Sequence, residues 1–464
     1  MGEATVDCDL LIYNSELLVT MDGSDIAGGW VAISEGRILS VGAAGTEPHA
    51  AETIDATGCL VTPGFINTHH HMYQNLTRNC AAAELEHGLV PWLEALYPAW
   101  SLMDEEAVYL STYVALAELA LGGCTTSCDH LNVHPMPGLM DAQMLAAQQV
   151  GLRFHATRGA MDLSEKDGAL PPDSAVEDIE TILTDCERLV ARYHDPAPLA
   201  MRQVALAPCN PFATSNRLMI ESAEMAERLD VRLHTHLAET PDEEQFCVDK
   251  FGARPTERLD DTGFINDRTW VAHGIFVSDA DIDRMGDTHT GVAHCPTSNV
   301  LFNRALTPVR DYRAHGAPVG LGCDGGASAG HCSLYNEARL MALVGDLLPG
   351  EPRMTARDAL NVATVGGAAC LGREHDLGRI SPGYAGDVVV WPVDGLFFSG
   401  VHGDLVTAWL RSGPTFARHT IVAGRQIVAD GRLTLDEVED VWRRHHAVAG
   451  SLQEKAGLIA QASP

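Results

Sequence analysis

Short alternating stretches of apolar and polar residues mark both ends of the chain. "DLLIYNSELLV" (Asp9–Val19), "GWVAISEGRILSVG" (Gly29–Gly42) and "AETIDATGCLVTPG" (Ala51–Gly64) are β-rich and broken by Gly or Asp, which predicts strands of a small sheet joined by tight turns. "AGDVVVWPV" (Ala385–Val393) and "RHTIVAGRQIVADGRL" (Arg418–Leu433) read alike, and "VAGRQIVADG" predicts a hairpin. Between the two ends the texture changes. Apolar, strand-like runs alternate with longer amphipathic stretches such as "SNRLMIESAEMAERL" (Ser215–Leu229). The runs are Phe65–His71, Cys124–His130, Leu152–Gly159, Gln203–Cys209, Val231–Glu239, Thr269–Gly274, Gly291–Pro296 and Pro318–Gly326. Eight strand–helix units predict an α/β fold, a (β/α)8 TIM barrel. The expected division is residues 1–62 and 371–464 as the two parts of a small β-sandwich domain, with 63–370 as the barrel. Spacing alone leaves open whether the two ends meet. The tail "EVEDVWRRHHAVAGSLQEKAG" (Glu437–Gly457) predicts a surface helix with a solvated His445-His446 pair.

Composition narrows the partners. Lys plus Arg total 31 against 63 Asp plus Glu, a formal net charge of −32. Such a chain repels phosphate backbones and anionic lipid, so neither nucleic acid nor membrane is expected as a partner. The 12 Cys are scattered without a C-x-x-C pair. Met1–Asp9 lacks an apolar leader region, and no apolar run reaches the roughly 18 residues that span a bilayer. The expected setting is cytoplasmic, with reduced thiols.

"TPGFINTHHHMYQNLTRN" (Thr62–Asn79) holds three consecutive histidines. On a strand, His69 and His71 point one way and His70 the other. Reactive side chains of a barrel sit at the C-terminal ends of its strands. Those ends here offer His69 and His71, then His234, His236 and Glu239 in "HTHLAE", then His273, then Asp324. Imidazole and carboxylate together suit Zn2+ or a similar divalent ion with one position open to water.

"PGFINTHHHMYQ", "HTHLAE", "VAHG", "HCPTSN" and "GCDGG", in this order, resemble the amidohydrolase superfamily. Within it they look like the branch of aromatic-heterocycle deaminases and s-triazine hydrolases. The resemblance runs over nearly the whole chain and implies a barrel with a small β-domain built from both chain ends. It implies metal ligation by His69, His71, His236 and Asp324, with His273 at the metal or its water. The ion is expected to be one Zn2+, with Fe2+ the alternative. Asp324 then takes a proton from the attacking water, Glu239 protonates a ring nitrogen and His273 steadies the developing oxyanion. Glu239 must be protonated at that moment, so its site is expected to raise its pKa. His70 is expected to be structural. The roles of His234, His294, His331 and Cys332 are left open.

The substrate is expected to be a small aminated heterocycle. Gln74 lies where deaminases of this branch contact it. "WLEALYPAW" (Trp92–Trp100) resembles a pocket wall, with Tyr97 and Trp100 stacking on a flat ring or forming loop core. Arg158 either binds a carbonyl oxygen or forms a salt bridge. Cys209, in "LAPCNPF", stands where guanine deaminases place an Arg, which argues against plain guanine. The chain looks most like 8-oxoguanine deaminases. It departs from the branch at "GGASAGHCS" (Gly325–Ser333), where "GSASNDG" is usual, and this loop is expected to border the pocket. The alternatives are an s-triazine hydrolase displacing an amine or halide, and a non-catalytic binding relative. A dihydroorotase-like enzyme would need a carbamylated Lys that "LAPCN" lacks. By analogy a homodimer is expected.

Overall fold

Most of the apolar runs are buried along their whole length, so neither face can be left to water and the strands close on themselves. The computed structural model describes residues 7–80, 87–347, 353–412 and 416–460. The barrel strands are β1 (Phe65–Asn67), β2 (Cys124–Leu131), β3 (Arg153–Ala160), β4 (Arg202–Pro208), β5 (Leu233–Leu237), β6 (Thr269–His273), β7 (Gly291–His294) and β8 (Val319–Leu321). All neighbours are parallel, and β8 returns to β1 through Leu321 and Asn67.

Alternation along these strands builds two cores. Ile66, Cys128, Ala205, Trp270 and Ala293 face inward and fill the barrel floor together with Ala368 and Leu371. Phe65, Phe154, Leu206, Leu233, Val271 and Leu321 face outward into the helical layer. The full indole of Trp270 is buried, and its N–H donates to Thr68 O at 2.9 Å.

One expected strand is broken. Phe65–His71 does not run as a single element, because pairing with the barrel stops at Asn67. His70-His71 instead pairs with Asp324-Gly325 in a separate two-stranded ladder above the barrel.

The chain ends meet in one sheet, where Cys59–Pro63 pairs antiparallel with Val388–Pro392. That seven-stranded sheet faces a four-stranded one containing Cys8–Tyr13 and Trp30–Ser34. Leu10, Ile12, Val31, Ile33, Val61, Val388 and Ile421 form the core between them. The expected hairpin turns at Ala423-Gly424, and a second follows at Asp430-Gly431. Both turns have positive φ at both central residues, at 48° and 76° and at 49° and 74°, the twist that two-residue hairpins need.

The C-terminal helix Val438–Lys455 rests on the barrel rather than on the sandwich. Arg444 pairs with Glu106 at 2.7 Å, and Gln453 donates to Leu76 O at 2.7 Å. The solvated reading of its histidine pair holds for His446 only. His445 is half-buried, and burial, then the Arg78 charge, push it down to about 4. Among the described residues no helix is long and apolar enough to cross a membrane.

Candidate metal centre and active site

The ladder between His70-His71 and Asp324-Gly325 brings the two ends of the barrel sequence together at its C-terminal mouth. Asp324 Oδ1 lies 3.5 Å from His69 Nε2 and 3.6 Å from His71 Nε2. His71 Nε2 lies 3.1 Å from His236 Nε2. One set of potential donor atoms, from His69, His71, His130 and His236, lies within 4.8 Å of one another, and so does a second set from His69, His273 and Asp324. His130 was not anticipated as a member, although it ends the second strand run. Its Nε2 sits 3.0 Å from Ala207 O, and its Nδ1 has no partner.

Neighbouring groups fix the tautomers. A backbone carbonyl can only accept, so the ring nitrogen facing it must carry the hydrogen. His71 Nδ1 donates to His130 O at 2.7 Å, and His236 Nδ1 donates to Cys209 O at 2.7 Å. His234 Nδ1 donates to Trp270 O at 2.8 Å, which leaves its Nε2 to accept from His69 Nδ1 at 2.8 Å. The undecided His234 thus orients His69, and it stacks on Trp270 with ring centroids 4.5 Å apart. Thr307 Oγ1 donates to His273 O and accepts from the Asn299 amide, so Asn299 Oδ1 faces His273 Nδ1 at 2.9 Å and takes its hydrogen. Four imidazoles, each with Nδ1 spent on an acceptor, therefore turn Nε2 toward one another and toward a carboxylate. Two bare lone pairs 3.1 Å apart repel unless a cation lies between them. The donor set of nitrogens and one carboxylate oxygen is the set that zinc and related ions take.

Burial keeps His69, His71 and His236 neutral. His71 is pushed down to about 4, and His69 well below its ordinary value, in both cases mainly by loss of water. Burial alone would raise Asp324, but its imidazole neighbours His69, His273 and His71 hold it well below the carboxylate range. Glu239 behaves oppositely. Burial raises it, His236 lowers it and Asp324 raises it again, to about 7. Its Oε1 lies 3.8 Å from His273 Nε2. Glu243, four residues on, accepts from Ala238 N at 2.7 Å and from Glu239 N at 3.0 Å, pinning the backbone that carries Glu239. His70 faces away, buried with both ring nitrogens unpartnered.

Three side chains of this group follow backbone that L residues rarely adopt. φ is +47° at Ala238, +73° at His273 and +57° at Asp324. Such strain clusters at functional sites and persists only when surroundings enforce it.

His71, His236, Glu239, His273 and Asp324 form one side of a narrow cavity. Gln74, Tyr97 and Cys209 line it, together with Leu89, Leu93, Phe302, Asn132 and Asn210, which sequence reasoning had not singled out. Burial keeps the Cys209 thiol protonated. Two expected contacts fall elsewhere. Trp100 is not on the cavity wall. It stands behind Tyr97, edge-on at 5.8 Å, with its indole N–H donating to Thr77 Oγ1 at 3.0 Å. Arg158 sits on the outward parity of β3 with Phe154 and Ala156, and its buried guanidinium pairs with Glu177 and Asp185, each at 2.9 Å. It salt-bridges between strand and helix and does not reach the cavity.

The altered loop divides in two. Gly325 and Gly326 back the wall, since a Cβ at 325 would lie 1.7 Å from Gln74 Oε1 and one at 326 would lie 2.0 Å from Asn75 Oδ1. His331 and Cys332 turn away from the cavity. His331 Nε2 is 3.5 Å from Glu337 Oε1, and Cys332 N donates to Glu118 at 2.8 Å. His294 ends β7, neutral by burial, with Nδ1 unpartnered.

Residues 60–427 match the protein family described as the amidohydrolase family. The chain belongs to the amidohydrolase family. This amidohydrolase is 43% identical over 445 residues to the 8-oxoguanine deaminase of Pseudomonas aeruginosa, covering 95% of this chain and 98% of that one. It is 37% identical over 445 residues to the hydroxydechloroatrazine ethylaminohydrolase of Pseudomonas sp. strain ADP, covering 91% of each. Its fold superposes on the crystal structure of the atrazine chlorohydrolase TrzN from Arthrobacter aurescens TC1 complexed with zinc, with a TM-score of 0.89 at 31% identity, covering 95% of this chain and 100% of that one. The amidohydrolase is therefore an enzyme of the hydrolase class, with the barrel of its family and a histidine-rich site of the kind that holds a metal.

Proposed function

We propose that this amidohydrolase deaminates an aminated N-heterocycle hydrolytically, best an oxidised purine such as 8-oxoguanine or a related pterin, and releases ammonia. One divalent ion, taken as zinc, would be held by His69, His71, His236 and Asp324, with His273 beside it. The observation that carries this reading is the set of converging Nε2 lone pairs, two of them 3.1 Å apart, beside a carboxyl held near neutrality. When bound, the ion supplies a positive charge that lowers the pKa of a water molecule from about 15.7 toward roughly 7.

The chain's own groups supply the remaining steps. Asp324, kept ionised, accepts a proton from the attacking water. Glu239, protonated below about pH 7, donates to the ring nitrogen next to the carbon under attack. His273 has spent its Nδ1–H on Asn299, so its Nε2 first accepts a hydrogen from that water. On taking that hydrogen as a proton it steadies the negative charge of the adduct, and it passes the proton to Glu239, 3.8 Å away, as the amine leaves, which restores both groups. Asp324 then returns its proton to the leaving amine, which departs as ammonia. Tyr97, Leu93 and Phe302 wall the cavity that would hold a flat ring.

The second reading is an s-triazine hydrolase that displaces an alkylamine or halide. The ethylaminohydrolase relative and the chlorohydrolase fold support it. A screen of 8-oxoguanine, guanine, isoxanthopterin, melamine and hydroxyatrazine separates the two. Ammonia from 8-oxoguanine supports deamination. Ethylamine or isopropylamine from hydroxyatrazine, with no ammonia from any purine, overturns it. The proposal extends to a homodimer by family analogy, and monomeric sedimentation at micromolar concentration would refute that part.

A further inference from the structure

We propose that Asn210 is a specificity-determining residue whose side-chain amide oxygen reads a ring N–H of the substrate. The substrate is then a cyclic-urea or lactam heterocycle that carries such donors. This deepens the deaminase reading and rests on it for the substrate class.

Asn210 follows Cys209 just beyond the end of β4 and lines the same cavity as Glu239 and Asp324. It is 8% exposed, and its Oδ1 is buried without a hydrogen-bond partner. The backbone there is held in place, because Asn210 O accepts from Thr214 Oγ1 at 2.7 Å and from Ala213 N at 3.2 Å. A buried amide oxygen without a donor is costly, and native proteins retain few of them. A donor arriving with the ligand removes that cost.

Gln74 Oε1 is also buried without a partner, and its side chain lies on Gly325, where any Cβ would collide with it. The remaining polar wall groups are engaged with each other. Tyr73 O–H donates to Asn132 Oδ1 at 2.8 Å, and Asn132 hydrogen-bonds the Cys209 thiol. Asn210 Oδ1 is thus a buried acceptor left open at the end of the fourth strand.

That pattern discriminates among rings. A purine oxidised at the carbon between its two five-ring nitrogens carries N–H on both of them. An unoxidised purine keeps one as a bare lone pair, which an amide oxygen repels. Sites built to bond an N–H reject analogues that lack it far more strongly than apolar pockets reject a missing methylene.

The test is calorimetric binding to the metal-loaded enzyme of urate, the ring left when 8-oxoguanine loses its amine, and of its 7-methyl and 9-methyl derivatives. We expect Asn210→Leu to bind urate roughly tenfold or more weakly, and Asn210→Asp, which keeps an acceptor, to lose less. Wild type should lose a similar factor against one methyl derivative, and Asn210→Leu should not distinguish that derivative from urate. Wild-type affinity in Asn210→Leu, or an equal loss for every ligand, overturns the proposal. Metal content and melting temperature report whether the variant folds. Should it not, equal wild-type affinity for urate and both methyl derivatives overturns the proposal by itself. Binding is read without turnover, so failure of 8-oxoguanine to yield ammonia sinks the deaminase reading alone.

Discussion

Glu239 and His234 show how single residues acquire roles from their surroundings. Glu239 is raised by burial, opposed by His236 and raised again by Asp324, to about 7. As a proton donor it must be protonated, so kcat should fall as pH rises through about 7. Glu239→Gln should lose turnover by roughly 10²–10⁴-fold while metal content stays at wild type. A retained basic limb in a residually active Gln variant would assign that limb to another group. His234 acts through His69. In His234→Phe the buried His69 Nδ1–H loses its acceptor, and the tautomer that frees Nε2 is no longer enforced. Metal affinity should drop roughly 10–100-fold, measured by competition with a chromogenic chelator. Unchanged affinity would reduce His234 to packing. Residue type was legible in the sequence for both. The partner was not, because Trp270 O belongs to a strand 36 positions away.

At the level of elements, alternation and its interruptions decide which groups reach the site. In β6 Trp270 packs inward and Val271 outward. Strict alternation would send His273 outward, and the left-handed turn at φ +73° brings it to the centre instead. Leaving the ladder after Asn67 does the same for His69 and His71. Glu243, on the helix Pro241–Phe251, holds the similar turn at Ala238 through two backbone N–H groups. Glu243→Gln can accept only one of them and sets an amide N–H against the other. We expect kcat to fall more than KM rises, with metal content retained and activity restored in part by Glu243→Asp. Equal kcat with a lowered melting temperature would make the role purely structural. Alternation in β3 also accounts for the salt-bridging place of Arg158, one of the two roles open to it. Arg158 lies on the outward parity, where its guanidinium joins Glu177 and Asp185. Arg158→Leu should lower stability by about 3 kcal/mol, as breaking a buried pair does, and leave KM unchanged. A raised KM at unchanged melting temperature would return it to the substrate.

For the whole molecule, burial of acids links stability to pH. Asp129 and Glu243 are raised to about 7 and Glu337 to about 8, each chiefly by loss of water. Their folded values exceed the ordinary ones, so these three groups favour the fold less as pH rises toward about 8; the buried histidines, lowered in the fold, act oppositely below about pH 6.5, so the decline is expressed above that value. Chelator-treated enzyme should therefore melt at progressively lower temperature from about pH 7.5 to pH 9, and a flat or rising profile there would contradict these values. The barrel, the sandwich strands and the residue types at the strand ends were legible because hydrophobic period and strand-end chemistry are local properties of the chain. Of the two places open to Trp100, wall or loop core, it takes the core, because its neighbours Tyr73, Trp92 and Tyr97 enclose it. Asn210 and Glu243 carried no distinguishing local signal, whereas His130 carried one in its place at the end of the second strand run. What the sequence by itself determined was which side chains stand at the ends of eight strands. Only closure of the barrel decided which of them face one another, since lone pairs, orphaned acceptors and raised carboxyls arise when groups far apart in the chain are held together out of water.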